Sequence, residues 1–256
     1  MVRIKRLLLL PFSMFLLAGT LGVASASAAP AIDKVHTGRA TAFTTNWSGY
    51  AAYDSIFSHV KGDWTVPSVN CSSMKGQQLA ITTAFVGIDG YNSNTVEQSG
   101  TDSDCIGKNA SYVAWYEFYP QRAFFLDQNT YPVSPGNQMH AEATVSGGQV
   151  TLTLQNTSSG SNRPWTYSPA PSIPSSGLQL SSAEWIVESP ASKLAPFISV
   201  PFSNAGARSG GGSDQPISAF TNDAITMVSK NGRTIRTHPS PASGATTSFS
   251  VIFDNP

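Results

Sequence analysis

An all-β fold, a sandwich of two antiparallel sheets, is what the sequence predicts, on three observations. Short apolar or alternating runs recur from Asn46 to the C-terminal end, separated by clusters of Gly, Pro, Ser and Asn. No long stretch places apolar residues at i, i+3, i+4 and i+7, so no amphipathic helix is indicated. Charge is sparse, at 12% Asp, Glu, Lys and Arg against roughly 25% in an average soluble domain. That composition suits an extracellular β-protein. A chain of 256 residues can bury a sizeable core in one domain, and no fixed-period repeat divides it.

The elements follow in order. Residues 1–28 read as a secretory signal peptide: Arg3, Lys5 and Arg6 precede an apolar run and a small-residue tail with Ala24-Ser25-Ala26 and Ala26-Ser27-Ala28. Its removal takes three basic and no acidic residues, leaving 12 Lys plus Arg against 15 Asp plus Glu, a net charge of −3. Residues 29–45 read as a short leader or mobile N-terminal arm, and 46–256 as a single domain. No later segment has the ~20 apolar residues of a membrane span. Expected strands are NWSGYAAY, HVKGDWTVP, ITTAFVGIDG, NTVEQSGTD, YVAWYEFYP and MHAEATV, followed by VTLTLQNT, PWTYSP, SAEWIVES, FISVPFSNAG, AITMVSK and TSFSVIFD. Gly147-Gly148 marks a tight hairpin, and NAGARSGGGSDQP reads as a long flexible loop. Cys71 and Cys105, in an oxidising compartment, are expected to pair across about 34 residues, worth roughly 3–4 kcal/mol.

Period-2 alternation assigns faces. Trp115, Glu117 and Tyr119 share one, with Tyr116 and Phe118 opposite. Glu184, Ile186 and Glu188 share one, with Trp185 and Val187 opposite. Val96 and Gln98 share one, and Glu97 points away. A sandwich buries one face of each sheet. The faces bearing Glu117, Glu184 and Glu188 are therefore expected to form a solvated, concave, aromatic-lined groove, with Trp185, Val187, Tyr116 and Phe118 in the core.

Several chemistries are excluded. G-x-S-x-G, the phosphate-binding G-x-x-x-x-G-K-[ST], H-E-x-x-H and D-[ST]-G are all absent. His36, His59, His140 and His238 are scattered without metal spacing, so neither a metal nor another cofactor is expected. A formal net charge of zero gives no reason for a nucleic-acid partner. Carboxylates and amides on strands remain.

Six blocks carry a resemblance: NWSGYAA, GDWTVPSV, AFVGIDG, VEQSGT, AWYEFYP and AEWIVE. They stand in the order and approximate spacing of the glutamic peptidases (eqolisins, family G1), from about Asn46 to the C-terminal end. The resemblance implies a concanavalin-like or jelly-roll sandwich of two seven-stranded antiparallel sheets, with a substrate groove on the concave face. EQSG matches the family's LQTG-like motif and aligns Gln98 with its catalytic glutamine. AEWIVES aligns Glu188 with its catalytic glutamate, while Glu184, with the same facing, competes for that assignment. Asp89, Asp102, Trp115, Glu117 and Tyr119 align with groove or supporting residues, and Trp47 is the Trp of the NW block. Phe85 stands where fungal members often have Trp, Val113 replaces an Asp, and Ser189-Pro190 follows Glu188 in place of Asp-Phe. These departures resemble a bacterial-type branch.

The activity so implied is that of a secreted, monomeric acid endopeptidase, insensitive to pepstatin and acting on proteins or peptides. Glu188 would activate water, and Gln98 would donate to the oxyanion. A glycoside hydrolase or a carbohydrate-binding module are the alternatives. Glu184 and Glu188 would lie about 13 Å apart by strand rise, too far for a retaining carboxylate pair, but Glu117 with Glu188 could serve.

Overall fold

The computed structural model describes residues 41–76, 78–159, 164–168, 172–191, 193–244 and 247–255. The expected signal peptide and residues 29–40 lie outside them. In chain order the first strands are β1 (Thr41–Thr44), β2 (Trp47–Tyr53), β3 (Phe57–Thr65), β4 (Leu79–Ile88), β5 (Val96–Ile106) and β6 (Asn109–Tyr119). Next come β7 (Phe124–Phe125), β8 (Gln138–Ser146), β9 (Gln149–Asn156), β10 (Trp165–Tyr167), β11 (Ile173–Pro174) and β12 (Ser182–Glu188). The last are β13 (Ser199–Ser209), β14 (Gln215–Pro216), β15 (Thr221–Val228), β16 (Ile235–Pro239) and β17 (Thr247–Phe253).

All twelve expected runs form strands. Three of the additional ones, β7, β11 and β14, have two residues each, too few to show a period. Residues 41–44 belong to the fold and not to an arm: β1 pairs in parallel with β15 and buries Ala42 and Thr44. The expected loop over 204–216 is corrected in the same way. β13 continues through Ser209, burying Ala205 and Ala207. A register shift between Ser203 and Gly206, with Asn204 at φ +50°, breaks the alternation that would have revealed it.

The front sheet runs β1–β15–β2–β12–β4–β5–β6–β7 and is antiparallel except at β1. The back sheet runs β16–β17–β13–β3–β8–β9, with β10 and β11 on β9 and β14 on β13. Pairing of β15 with β16 joins the two along one edge. Gly147 and Gly148, at φ +56° and +74°, make the two-residue turn between β8 and β9.

Between the sheets, Val86, Ile88, Phe118, Trp185 and Val187 meet Val60, Trp64, Met139, Leu152, Leu154 and Phe202. Two tryptophans cross the layer in opposite directions. The Trp185 indole donates to the carbonyl of Lys61 at 2.7 Å, and that of Trp64 donates to Thr101 Oγ1 at 2.9 Å. Position 62 must be glycine for this, because a Cβ there would lie 2.7 Å from the Trp185 ring. Tyr116, expected in the core, is half-buried and stacked between Phe124 and Tyr167. Cys71, in a 3-10 turn after β3, is bonded to Cys105 on β5.

Candidate active site

Strand register sets the site out in rows across the front sheet, because directly paired residues share a face. One row reads Asp223, Ala51, Glu184, Gly87, Gln98, Glu117. A second holds Ile186, Phe85, Gly100 and Trp115. A third holds Trp47, Glu188, Thr83, Asp102 and Val113. All lie on the face turned away from the sandwich core. Trp47, Phe85, Trp115 and Ile186 form an apolar cluster of their own there, with Ala51, Tyr91 and Ile225. Gly100 makes the middle of this surface possible. A Cβ at that position would lie 2.4 Å from the Ala84 carbonyl oxygen and 3.0 Å from the Trp115 ring.

The polar groups on this face are not solvated as expected. Gln98 and Glu117 are 1% exposed, Glu188 2% and Glu184 0%. Crowding by the aromatic cluster removes them from water, so each must find partners or give up charge. Gln98 Nε2 donates to Glu117 Oε2 at 2.7 Å, while Gln98 Oε1 has no partner. Glu188 Oε1 accepts from Asn46 Nδ2 at 3.2 Å. Burial pushes Glu188 up to about 8; the Trp47 and Asn46 side chains oppose this, and the nearby charges of Glu117 and Asp102 add to it. Burial likewise takes Glu117 to about 7, against the pull of the Gln98 hydrogen bond. Asp102 rises to about 6 on burial, held back because its Oδ1 accepts from Thr83 Oγ1 at 2.6 Å and Trp115 Nε1 at 2.7 Å. Asp104, next on the same face, rises to about 9 through burial and the charge of Asp102.

Glu184 and Glu188 fall into separate groups. Glu188 lies within electrostatic reach of Glu117, the partner of Gln98. Glu184 interacts instead with Asp89 and Glu97. Neither of its oxygens makes a well-formed hydrogen bond. Burial holds it well above the usual carboxylate range, more than the Ser182 hydroxyl and Tyr91 amide can offset. Asp89, at φ +68°, accepts from the backbone N–H groups of Leu180 and Ser181, each at 2.8 Å. It clamps the approach to β12 onto the end of β4. Tyr91 donates to Asp223 at the outer end of the row. Tyr119 stands at the end of β6, half-buried, on the same face as Glu117.

Sequence reasoning did not find Asn46, Thr83, Asp104, Tyr91 or Asp223 as members of this surface. Thr83 and Asp104 had a signal, since each lies two residues from a recognised groove residue, Phe85 and Asp102, on the same strand. Asn46 had one too, as the first residue of the NWSGYAA block beside Trp47; Tyr91 and Asp223 had none, because they come from a loop and a distant strand. No group of three or more His, Cys, Asp or Glu placed to hold a metal ion occurs among the described residues.

The comparisons bear on the family and the fold. The model of the Peptidase A4 family matches residues 45–250. Aspergillopepsin-2 of Aspergillus niger is 31% identical over 71% of this chain and 70% of its own. The aspergilloglutamic peptidase of Aspergillus niger superposes with a TM-score of 0.54 at 28% identity, covering 68% of this chain and 99% of that one. In fold, the structure of scytalido-glutamic peptidase with a transition-state analogue inhibitor is similar, with a TM-score of 0.63 at 23% identity over 82% of this chain and 98% of that one. The chain therefore belongs to the Peptidase A4 family, the glutamic peptidases or eqolisins.

Proposed function

We propose that Gln98 and Glu188 are the catalytic pair of this glutamic endopeptidase. The observation that carries the assignment is the buried cluster in which Gln98 donates to Glu117 while Glu188 lies within electrostatic reach of the same carboxylate. Glu117 fixes which way the Gln98 amide points. One Nε2 hydrogen is committed to Glu117 and the other remains to stabilise an oxyanion. Gln98 Oε1, which has no partner, can accept from the attacking water.

Hydrolysis then balances as follows. Water oxygen bonds to the scissile carbonyl carbon, and its proton passes to Glu188. The carbonyl π electrons move to oxygen, where Gln98 Nε2 donates to the developing charge. Glu188 returns the proton to the departing nitrogen as the C–N bond breaks. In the closed groove Glu188 holds its proton, because burial disfavours the charge. Substrate and water bring the hydrogen bonds that the dry groove lacks, which favours the carboxylate when it is needed as base. The neighbouring acids share the remaining protons, so the cluster titrates as a unit.

The test is cleavage of acid-denatured globin or casein at pH 3–4 in the presence of pepstatin. Cleavage by the wild type is expected, with Gln98→Ala lower by about 10²–10³-fold and Glu188→Gln lower by at least about 10³-fold. Full activity in Glu188→Gln, with loss in Glu184→Gln, would move the base to Glu184. We further propose that the protein acts outside the cell as a monomer. The N-terminal segment supports export, and no helix among the described residues is long and apolar enough to cross a membrane.

A further inference from the structure

Beside the catalytic glutamine in sequence, but on the other face of β5, lies a carboxylate the reaction does not use. Glu97 is 0% exposed. Its register neighbours are Ile88 on β4 and Phe118 on β6, and the row continues through Ala183 to Ala52. All four belong to the inter-sheet core. Neither carboxylate oxygen makes a well-formed hydrogen bond, and only the residue's own backbone N–H favours the charge, less than burial opposes it. The titratable groups within electrostatic reach are acids, Asp89 at the end of β4 and Glu184 on β12, and no salt bridge among the described residues involves any of the three. A lone carboxylate in such a place is tolerated only as the neutral acid.

We infer that Glu97 is an alkaline cut-off built into the core, an acid whose ionisation the folded state cannot accommodate and which unfolds the strand carrying Gln98 when pH rises. Glu117 and Glu188 also resist ionisation, but they face the groove, where water entering with substrate can reach them. Glu97 faces only the interior. The direction of the linkage follows from this. The unfolded chain ionises Glu97 near the ordinary Glu value, while burial and the charge of Asp89 raise the folded value to about 8. The fold therefore pays nothing for Glu97 below the ordinary value, and loses stability progressively as pH rises from there to about 8. Such a device confines the active enzyme to acidic surroundings without touching the catalytic groups.

The experiment follows near-UV circular dichroism and tryptophan fluorescence from pH 4 to 10 for the wild type, Glu97→Gln and Glu97→Leu. Because the readout is structural, it stands or falls independently of the peptidase assignment. Both variants are expected to move the midpoint of alkaline unfolding upward by about one pH unit or more, with cleavage at pH 3–4 within about twofold of wild type. Glutamine tests removal of the charge with the volume kept, and leucine tests removal of all polarity. Midpoints coincident with the wild type in both variants would overturn the inference. So would an upward shift in Glu184→Gln or Asp104→Asn with none in either Glu97 variant, which would assign the cut-off to the groove face.

Discussion

Glu117 holds two functions that one substitution can separate. It accepts the Gln98 amide hydrogen at 2.7 Å, and its charge opposes ionisation of Glu188. Glu117→Gln keeps an acceptor for Gln98 and removes the charge. Glu117→Leu removes both. The glutamine variant is expected to retain kcat within about tenfold, and the leucine variant to lose about 10²-fold with KM little changed, as for a mispositioned oxyanion donor. The sign of the pH effect is fixed as well. Removing a like charge lowers the pKa of Glu188, so the acidic limb of the Glu117→Gln profile, where Glu188 becomes the carboxylate base, moves to lower pH. Steady-state kinetics at several pH values read both effects, and equal kcat values for the two variants would refute the positioning role. At this scale the sequence was legible where a side chain's facing decided its place: the facing of Gln98, Glu117, Glu184 and Glu188 follows from alternation. What alternation leaves open is the environment on that face. Glu184 and Glu188 share a facing, and each lies two residues from Ile186, yet one meets Asp89 and Glu97 and the other meets Glu117 and Asp102. Strands distant in sequence make that difference.

Strands β4 and β5 show how little an element has to change to lose the site. Gly100 sits where the Trp115 ring lies against β5 and reaches Asp102. A methyl group there meets the Ala84 carbonyl at 2.4 Å and Phe85 Cβ at 2.7 Å, and backbone cannot yield as a flexible side chain can. Gly100→Ala is expected to cost roughly 1–3 kcal/mol, visible as a lower Tm. It should also lower activity, because displaced Trp115 no longer donates to Asp102. On the outer face of the back sheet, β3 and β8 build a different device. His140 Nδ1 contacts Asp63 at 2.5 Å, and its Nε2 contacts Glu142 at 3.0 Å. His59 contacts Asp214 at 2.8 Å and Glu142 at 3.6 Å, and Lys61 reaches Asp214 at 2.9 Å. The Asp63 and Glu142 carboxylates raise His140 to about 9, and His140 and His59 in turn hold Glu142 well below its usual range. His140 therefore contributes stability fully below its unfolded value of 6.5, and the contribution is lost as pH rises through about 9. His140→Gln is expected to lower Tm by roughly 2–4 °C at pH 5–6 and to leave it unchanged above pH 10. An equal loss at both pH values would mean that packing, and not charge, is what the histidine supplies. The spacing of these histidines gave no hint of the ladder, because it runs across strands and not along one.

At the scale of the whole molecule, the fold class was the most legible feature and the dryness of the groove the least. Strand runs and turns specify a sandwich wherever apolar residues alternate. They do not specify how far the front sheet bends, and it is the crowding of Trp47, Phe85, Trp115 and Tyr91 on that face that excludes water. The consequence is a molecule whose acids are concentrated where they cannot all be charged. Asp102, Glu117, Glu188 and Asp104 rise to about 6, 7, 8 and 9, chiefly through burial. Asp102 is first to ionise because Thr83 and Trp115 donate to it. Each further proton removed adds a like charge to one cluster, which opposes the negative charge that develops on the oxyanion beside Gln98. kcat/KM is therefore expected to decline as pH rises through about 6–8, and to do so in Glu97→Gln as in the wild type, since this limb belongs to the groove and not to the core. Initial rates on a short peptide, measured within seconds of transfer to each pH, separate the catalytic limb from slower unfolding. A rate that stays level to pH 9 would mean that the charge of the groove acids does not oppose formation of the oxyanion.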